Sequence, residues 1–240
     1  MTRVAIIAAM PAELKPLVRG WQHECRNGVD LWRRRFDEGE WVAACAGAGQ
    51  KAATRAFAEV EKDGPISCVI SIGWVGALIE EAKPGKAYKV SGVIDSSTGE
   101  RFHVTQCSSE CLVVTSPKVA DAAEKKRLAS TYGAALVDME AAAVARLAGM
   151  RGIPFSCYKG VSDGFSEDLL DFNRFISPDG QFQMGRLLLY VLPRPWHWPA
   201  LIRMGENSRR ASQSIRGLLL ENMDKPGVIA NQNGNSNLTR

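Results

Sequence analysis

Short β-branched apolar runs recur along the chain, separated by segments whose apolar positions follow helical spacing. The candidate strands are Val4–Ala9, Trp41–Ala46, Cys68–Ile72, Leu112–Thr115, Ala135–Asp138 and Ser156–Gly160. The candidate helices are Pro11–Arg19, Gln50–Lys62, Lys118–Thr131, Ala141–Met150 and Gln181–Leu192, with Pro11 at a first turn, where the missing N–H costs nothing. Alternating strand and helix predicts a single α/β domain. Its centre is a twisted, mixed but largely parallel β-sheet flanked by helices. In such sheets ligand-binding groups gather where strands end.

The 240-residue length fits one catalytic domain over residues 1–192, and the apolar fraction of 45% supplies a large core. Two further segments follow it. Residues 193–225 open with PRPWHWP and continue as a basic amphipathic helix, and residues 226–240 are polar, Asn/Gly-rich and expected to be disordered. No early apolar run reaches membrane-spanning length, and the opening MTRVAIIAAMPAEL lacks a secretory leader, so a cytoplasmic location is expected.

The formal +4 charge resides wholly in the segment from Pro193 onward, with seven Lys/Arg against three Asp/Glu, leaving 23 of each sign before it. A neutral body with a basic end argues against a nucleic-acid groove across the fold. Six cysteines spread through a domain of this size imply no disulfide framework. Cys107 and Cys111 are spaced to share a metal, but no second pair accompanies them and no metal is expected. Cys157 belongs to the core, and His23, His103 and His197 form no nucleophile–base pattern.

Three acids stand directly after predicted strands: Glu13 in AAMPAE, Glu140 in ALVDMEAAAVA and Asp163 in YKGVSDG. Each alone could be a helix-start carboxylate near a positive helix end. Three in such similar places point to one pocket, because acids at strand ends converge even when distant in sequence.

The string VDMEAAAVARLA followed by GIPFSCYKGVSDG resembles the signature region of the nucleoside phosphorylase and nucleosidase superfamily. VAIIAAMPAEL, SIGWVGAL and PGKAYKVSGVID resemble the first strand and turn, the glycine-rich turn after a central strand, and the following strands of its methylthioadenosine/S-adenosylhomocysteine nucleosidases. The likeness runs from Val4 to Gly164. It implies the nucleoside phosphorylase-like fold and cleavage of a purine N-glycosidic bond, with adenine the expected base. By resemblance, Asp163 protonates the leaving base and Ser162 orients it. Glu140 receives the ribose hydroxyls, Met139 packs on the sugar, and Glu13 activates water. The leaving base departs from an oxocarbenium-like sugar, so the acid must carry a proton near neutral pH.

Superfamily phosphorylases carry a Gly-Asp-Pro-x-Arg turn after strand one. Here Ala-Met-Pro-Ala-Glu takes its place, which favours water over phosphate. Three residues depart from the nucleosidase pattern. Trp74 follows Gly73 where a small residue is usual beside the sugar, and its bulk either reshapes that site or packs in the core. Lys159 stands for an arginine and either supports Glu140 or binds an anion. The base-stacking position falls in TSPKVADA, where Pro117 and Val119 are on offer.

The leading expectation is a hydrolytic purine nucleosidase without cofactor, acting on a small-molecule nucleoside and assembled as a homo-oligomer. One alternative is phosphorolysis with phosphate as co-substrate, extending to lipid-linked adenosylhopane in the hopanoid branch of the superfamily. Another is a non-catalytic nucleoside-binding or membrane-associated protein. The C-terminal segment is expected either to cover the body or a subunit interface, or to touch a membrane surface peripherally.

Overall fold

The computed structural model describes residues 2–37, 39–104, 110–167 and 170–223. From the N-terminus the elements are β1 (Thr2–Ala8), α1 (Pro11–Leu14), β2 (Gln22–Arg26), β3 (Val29–Phe36), β4 (Gly39–Cys45), α2 (Gln50–Glu61) and β5 (Cys68–Ala77). There follow β6 (Ala87–Lys89), β7 (Gly92–Asp95), β8 (Arg101–His103), β9 (Leu112–Thr115), α3 (Ala122–Tyr132) and β10 (Leu136–Asp138). The chain continues with α4 (Ala141–Arg151), β11 (Phe155–Asp163), α5 (Met184–Val191) and α6 (Trp198–Met223).

One mixed sheet joins all eleven strands. Its centre is parallel: β1 lies between β4 and β5, and β11 pairs with β5. These strands are nearly continuous apolar runs because helices cover both faces. On one face α2 and α4 present small side chains, Ala52, Ala53, Ala56, Ala141, Ala142 and Ala145, which allow close approach. On the other face α6 lays Ile215 and Leu219 over Ile70, Ile72 and Tyr158. Among the described residues no helix is long and apolar enough to cross a membrane.

The antiparallel parts exceed expectation. The β2–β3 hairpin extends the β4 edge, β6 adds to β11, and β8 pairs with β7. β10 runs against the end of β5 while lying parallel to β9. Two element boundaries also differ. The helix expected over Pro11–Arg19 stops at Leu14: Lys15 keeps helical backbone angles, but Pro16 has no N–H with which to continue the hydrogen-bond ladder. The strand expected to end at Ile72 continues to Ala77, so SIGWVGAL is strand and not a turn. Its glycines serve close approaches, described below. Cys107 and residues 226–240 lie outside the described residues, so neither expectation about them is addressed.

Candidate active site

Glu13 sits in the first turn of α1, immediately after β1, and is buried. Its Oε2 accepts from the backbone N–H groups of Ala9 (2.8 Å) and Met10 (3.0 Å). Its Oε1 accepts from the N–H of Trp74 on β5 at 2.8 Å. Burial raises its pKa above the ordinary glutamate value, while these three amides and the charge of Lys159 pull the other way. Gly73 makes the arrangement possible, since a Cβ there would stand 3.2 Å from Glu13 Oε1. Both lone pairs of Oε2 are taken, and Oε1 keeps one for water.

Glu140 follows β10 as the N-cap position of α4. Its Oε1 accepts from the Gly49 N–H at 2.6 Å, in the loop after β4. Burial raises its pKa, the neighbouring charges of Asp138 and Glu13 add to that, and Lys159 opposes it. Met139 is half-buried, with its Cε 4.0 Å from where a Cβ on Gly49 would lie. Beneath these groups lies a saturated network. Asp138 accepts from Lys159 Nζ (2.7 Å), the Ala141 N–H (2.9 Å) and Thr115 Oγ1 (2.7 Å). Lys159 also donates to Ser71 Oγ at 3.2 Å and is fully buried. Burial alone would lower the lysine pKa, but the charges of Asp138 and Glu140 overcome it and hold the ammonium charged. Lys159 therefore acts on Glu140 and Glu13 through charge, with Asp138 as its direct partner.

Asp163 is the last residue of β11, not a residue beyond it. A bulge between Val161 and Asp163 inserts Ser162 and brings Asp163 opposite Gly76, the kind of local kink that re-aims side chains beside sites. Ser162 Oγ lies 2.6 Å from Asp163 Oδ1 and 3.1 Å from the Val75 carbonyl oxygen. Its single proton serves one acceptor at a time. The carboxylate oxygen Oδ1 is the closer of the two acceptors. The other oxygen, Oδ2, pairs with Lys125 of α3, a residue absent from the sequence-based candidates. Lys125 also donates to the Gly164 carbonyl at 2.7 Å. Gly76 leaves room for both, as a Cβ there would stand 3.0 Å from Asp163 Oδ2 and 3.1 Å from Lys125 Cε.

β5 touches two of the three acids. Trp74 holds Glu13, and two residues later Gly76 faces Asp163; Gly73 and Gly76 are roughly 7–10 Å apart along an extended strand. Glu140 joins through its electrostatic coupling to Glu13 and Lys159. Trp74 does not fill this space. Its indole Nε1 donates to Ser212 Oγ of α6 at 2.8 Å, leaving only its amide on Glu13. Val119 is pinned by Asn173 through its N–H (2.9 Å) and carbonyl (3.0 Å) and packs against the Phe172–Phe175 cluster. Asp138 and Lys125 are both absent from the sequence-based candidates: Asp138 lies unremarked beside Met139 and Glu140 in VDMEAAAVA, and Lys125 is hidden in EKKRLAS, a string typical of a solvated helix. The one sign was its position three residues before Leu128, on the buried side of α3. Among the described residues no cluster of His, Cys, Asp and Glu could hold a metal.

Residues 96–182 match the sequence profile of the Phosphorylase superfamily. The chain resembles that superfamily. The matched stretch includes Lys125, Asp138, Met139, Glu140, Lys159, Ser162 and Asp163, whereas Glu13 and Trp74 lie before it. No curated protein sequence matches the chain. Solved structures with superfamily-like folds align along almost all of it. The 5′-methylthioadenosine nucleosidase of Arabidopsis thaliana, in apo form, aligns at 16% identity and TM-score 0.73, over 97% of this chain and 98% of its own. The 5′-methylthioadenosine/S-adenosylhomocysteine nucleosidase of Neisseria meningitidis, complexed with methylthio-immucillin-A, gives 17% identity and TM-score 0.69, over 92% and 98%. Futalosine hydrolase of Helicobacter pylori gives 13% and 0.68, also over 92% and 98%. At such identities the shared property is the superfamily fold, here a mixed central sheet flanked by helices.

Proposed function

We propose that this chain hydrolyses the N-glycosidic bond of a purine nucleoside, with adenine as the base. The observation carrying the reading is the burial of Glu13 and Asp163 against β5, on the Trp74 amide and beside Gly76, with Glu140 buried in the field of Glu13 and Lys159. Asp163 gives a proton to N7 of the departing base as the glycosidic electron pair moves onto N9. Glu140 accepts hydrogen bonds from ribose hydroxyls, which strengthen as the sugar gains positive charge. Glu13 takes a proton from the water that attacks the anomeric carbon. The substrates for which the nucleosidase neighbours are named support adenine nucleosides with modified 5′ groups. A homo-oligomer remains part of this proposal.

The choice of water rests on the three amides around Glu13. Ala9, Met10 and Trp74 present converging N–H groups, an arrangement suited to an anion. Here the chain's own carboxylate already occupies it. A phosphate would have to displace Glu13 or bear its charge. Incubating the protein with 5′-methylthioadenosine, with and without phosphate, tests this. Free adenine and free sugar in equal amounts under both conditions are expected. A sugar 1-phosphate would replace hydrolysis by phosphorolysis, and no release of base from any purine nucleoside would remove the reading.

A second reading is favoured by one surface. Leu188 and Leu189 of α5, with Leu192 just beyond it and Trp196 and Ile202, are exposed, and Arg186, Arg194 and Arg203 are near them in sequence. Such a face suits an anionic bilayer, and a lipid-linked adenine nucleoside would be the matching substrate. Co-sedimentation with phosphatidylglycerol vesicles, lost on Leu189→Glu and Trp196→Glu, is the expected result. No sedimentation of the unaltered protein would dismiss it.

A further inference from the structure

Lys125 is a lysine with 1% of its surface exposed, and its ammonium touches Asp163 and the Gly164 carbonyl. A buried ammonium is costly to keep unless it is paired, and lysines retained in such places often have a chemical task. The placement poses a problem for the chemistry proposed above, on which the present inference rests. The acid that protonates the base must hold a proton, yet in the free protein Asp163 faces a cation. The contact itself contains the solution. When a purine covers the pair and excludes water, moving one proton from Nζ to the carboxylate removes two opposite charges from a dry site.

We propose that Lys125 is a positioning residue that holds Asp163 by Oδ2 and passes it the proton delivered to the leaving base. The balance is complete within the protein and its substrates. An N–H bond of Lys125 breaks and an O–H bond of Asp163 forms. That O–H then breaks as N7 of the base gains its proton, and the glycosidic pair settles on N9. Lys125 is left a neutral amine beside a carboxylate. The proton released by the attacking water restores its ammonium when the base departs and solvent returns. Ser162 holds Oδ1 throughout, donating to it while the proton moves on and off Oδ2. Gly76 supplies the space in which the Lys125 stem and Asp163 meet.

The test pairs two substrates with four proteins: unaltered, Lys125→Met, Lys125→Arg and Asp163→Asn. One substrate is an adenine nucleoside, whose base leaves well only when protonated. The other is 4-nitrophenyl riboside, whose phenolate leaves without a proton. Lys125→Met keeps the length and apolar stem, and Lys125→Arg keeps the charge but cannot give up a proton near neutral pH. Both variants should lose about 10²–10⁴-fold in kcat on the adenine nucleoside, with KM changed far less, while keeping the nitrophenyl activity within a few fold.

Equal losses on both substrates in Lys125→Met would mean a structural lysine and overturn the proposal. Full activity of Lys125→Arg on the adenine nucleoside would overturn it too, since charge alone would then suffice. If Lys125→Met retains adenine release while Asp163→Asn loses it, this inference fails and the acid assignment survives. If Asp163→Asn retains it, the acid assignment itself fails. Circular dichroism and Tm of each variant separate unfolding from lost chemistry.

Discussion

The two ends of the candidate site hold their carboxylates by different means. On the sugar side, Glu13 and Glu140 are gripped by backbone amides of Ala9, Met10, Trp74 and Gly49, and the charge beneath them is fixed by the closed Asp138–Lys159 pair. On the base side, Asp163 is held by two side chains, Ser162 and Lys125. Amides cannot change protonation, so they pre-position a charge at no reorganisation cost. Hydroxyl and ammonium groups can redistribute protons, which suits an acid that must give one up and regain it. The division matches the chemistry proposed for each end: the sugar needs carboxyl groups held in fixed positions, and releasing a base needs a movable proton.

Breaking the fixed side should cost the most in folding. Asp138→Ala leaves Lys159 charged and unpaired in the interior, a loss of about 3–5 kcal/mol. For a domain of this size that is a fall in Tm of roughly 6–20 °C, read by thermal unfolding. A Tm within two degrees of the parent would show that the pair is not the anchor of the sugar side.

The pH dependence sharpens the contrast. Burial raises the pKa of Glu140, so the folded state keeps a proton that the unfolded chain has already lost. Its contribution to stability is complete below the unfolded value of about 4.3 and declines as pH rises toward the folded value. Glu140→Gln removes that decline. The variant should melt at a temperature close to the parent near pH 4 and, on the order of 2–4 °C, higher near pH 8, while losing most activity. A Tm difference that shrinks with rising pH would contradict the assigned direction.

The smallest effect belongs to the link between α6 and the sugar side. Ser212→Ala deprives the Trp74 indole N–H of its acceptor and should lower stability by about 1 kcal/mol. The same change should slow turnover severalfold by loosening the Trp74 amide on Glu13, without altering the response to leaving group. Unchanged turnover beside lower stability would confine the link to folding.

The parallel core was readable because its strands are long apolar runs and the helices between them keep a clean period. The β2–β3 hairpin was not. β2 is largely exposed, and β3 carries Arg33, Arg34 and Arg35 on a strand whose buried positions reduce to Val29 and Leu31. Glu13, Glu140 and Asp163 stood out because a carboxylate after an apolar strand is conspicuous in one dimension. The backbone partners of Glu13 and Glu140 were not, since a pattern of amide donors leaves no trace in residue type. Lys125 was disguised by its charged neighbours, and Trp74 misled through its size, because its indole turns toward α6 while its amide serves the site.

The Trp74–Ser212 clasp makes the far end of the polypeptide a mechanical neighbour of the water-activating group. α6 buries Ala211, Ile215 and Leu219 against the body, so shortening the protein before this helix would strip a brace from beneath Glu13. An inert truncated form would then speak of a lost buttress, leaving the reaction chemistry of the intact molecule unjudged.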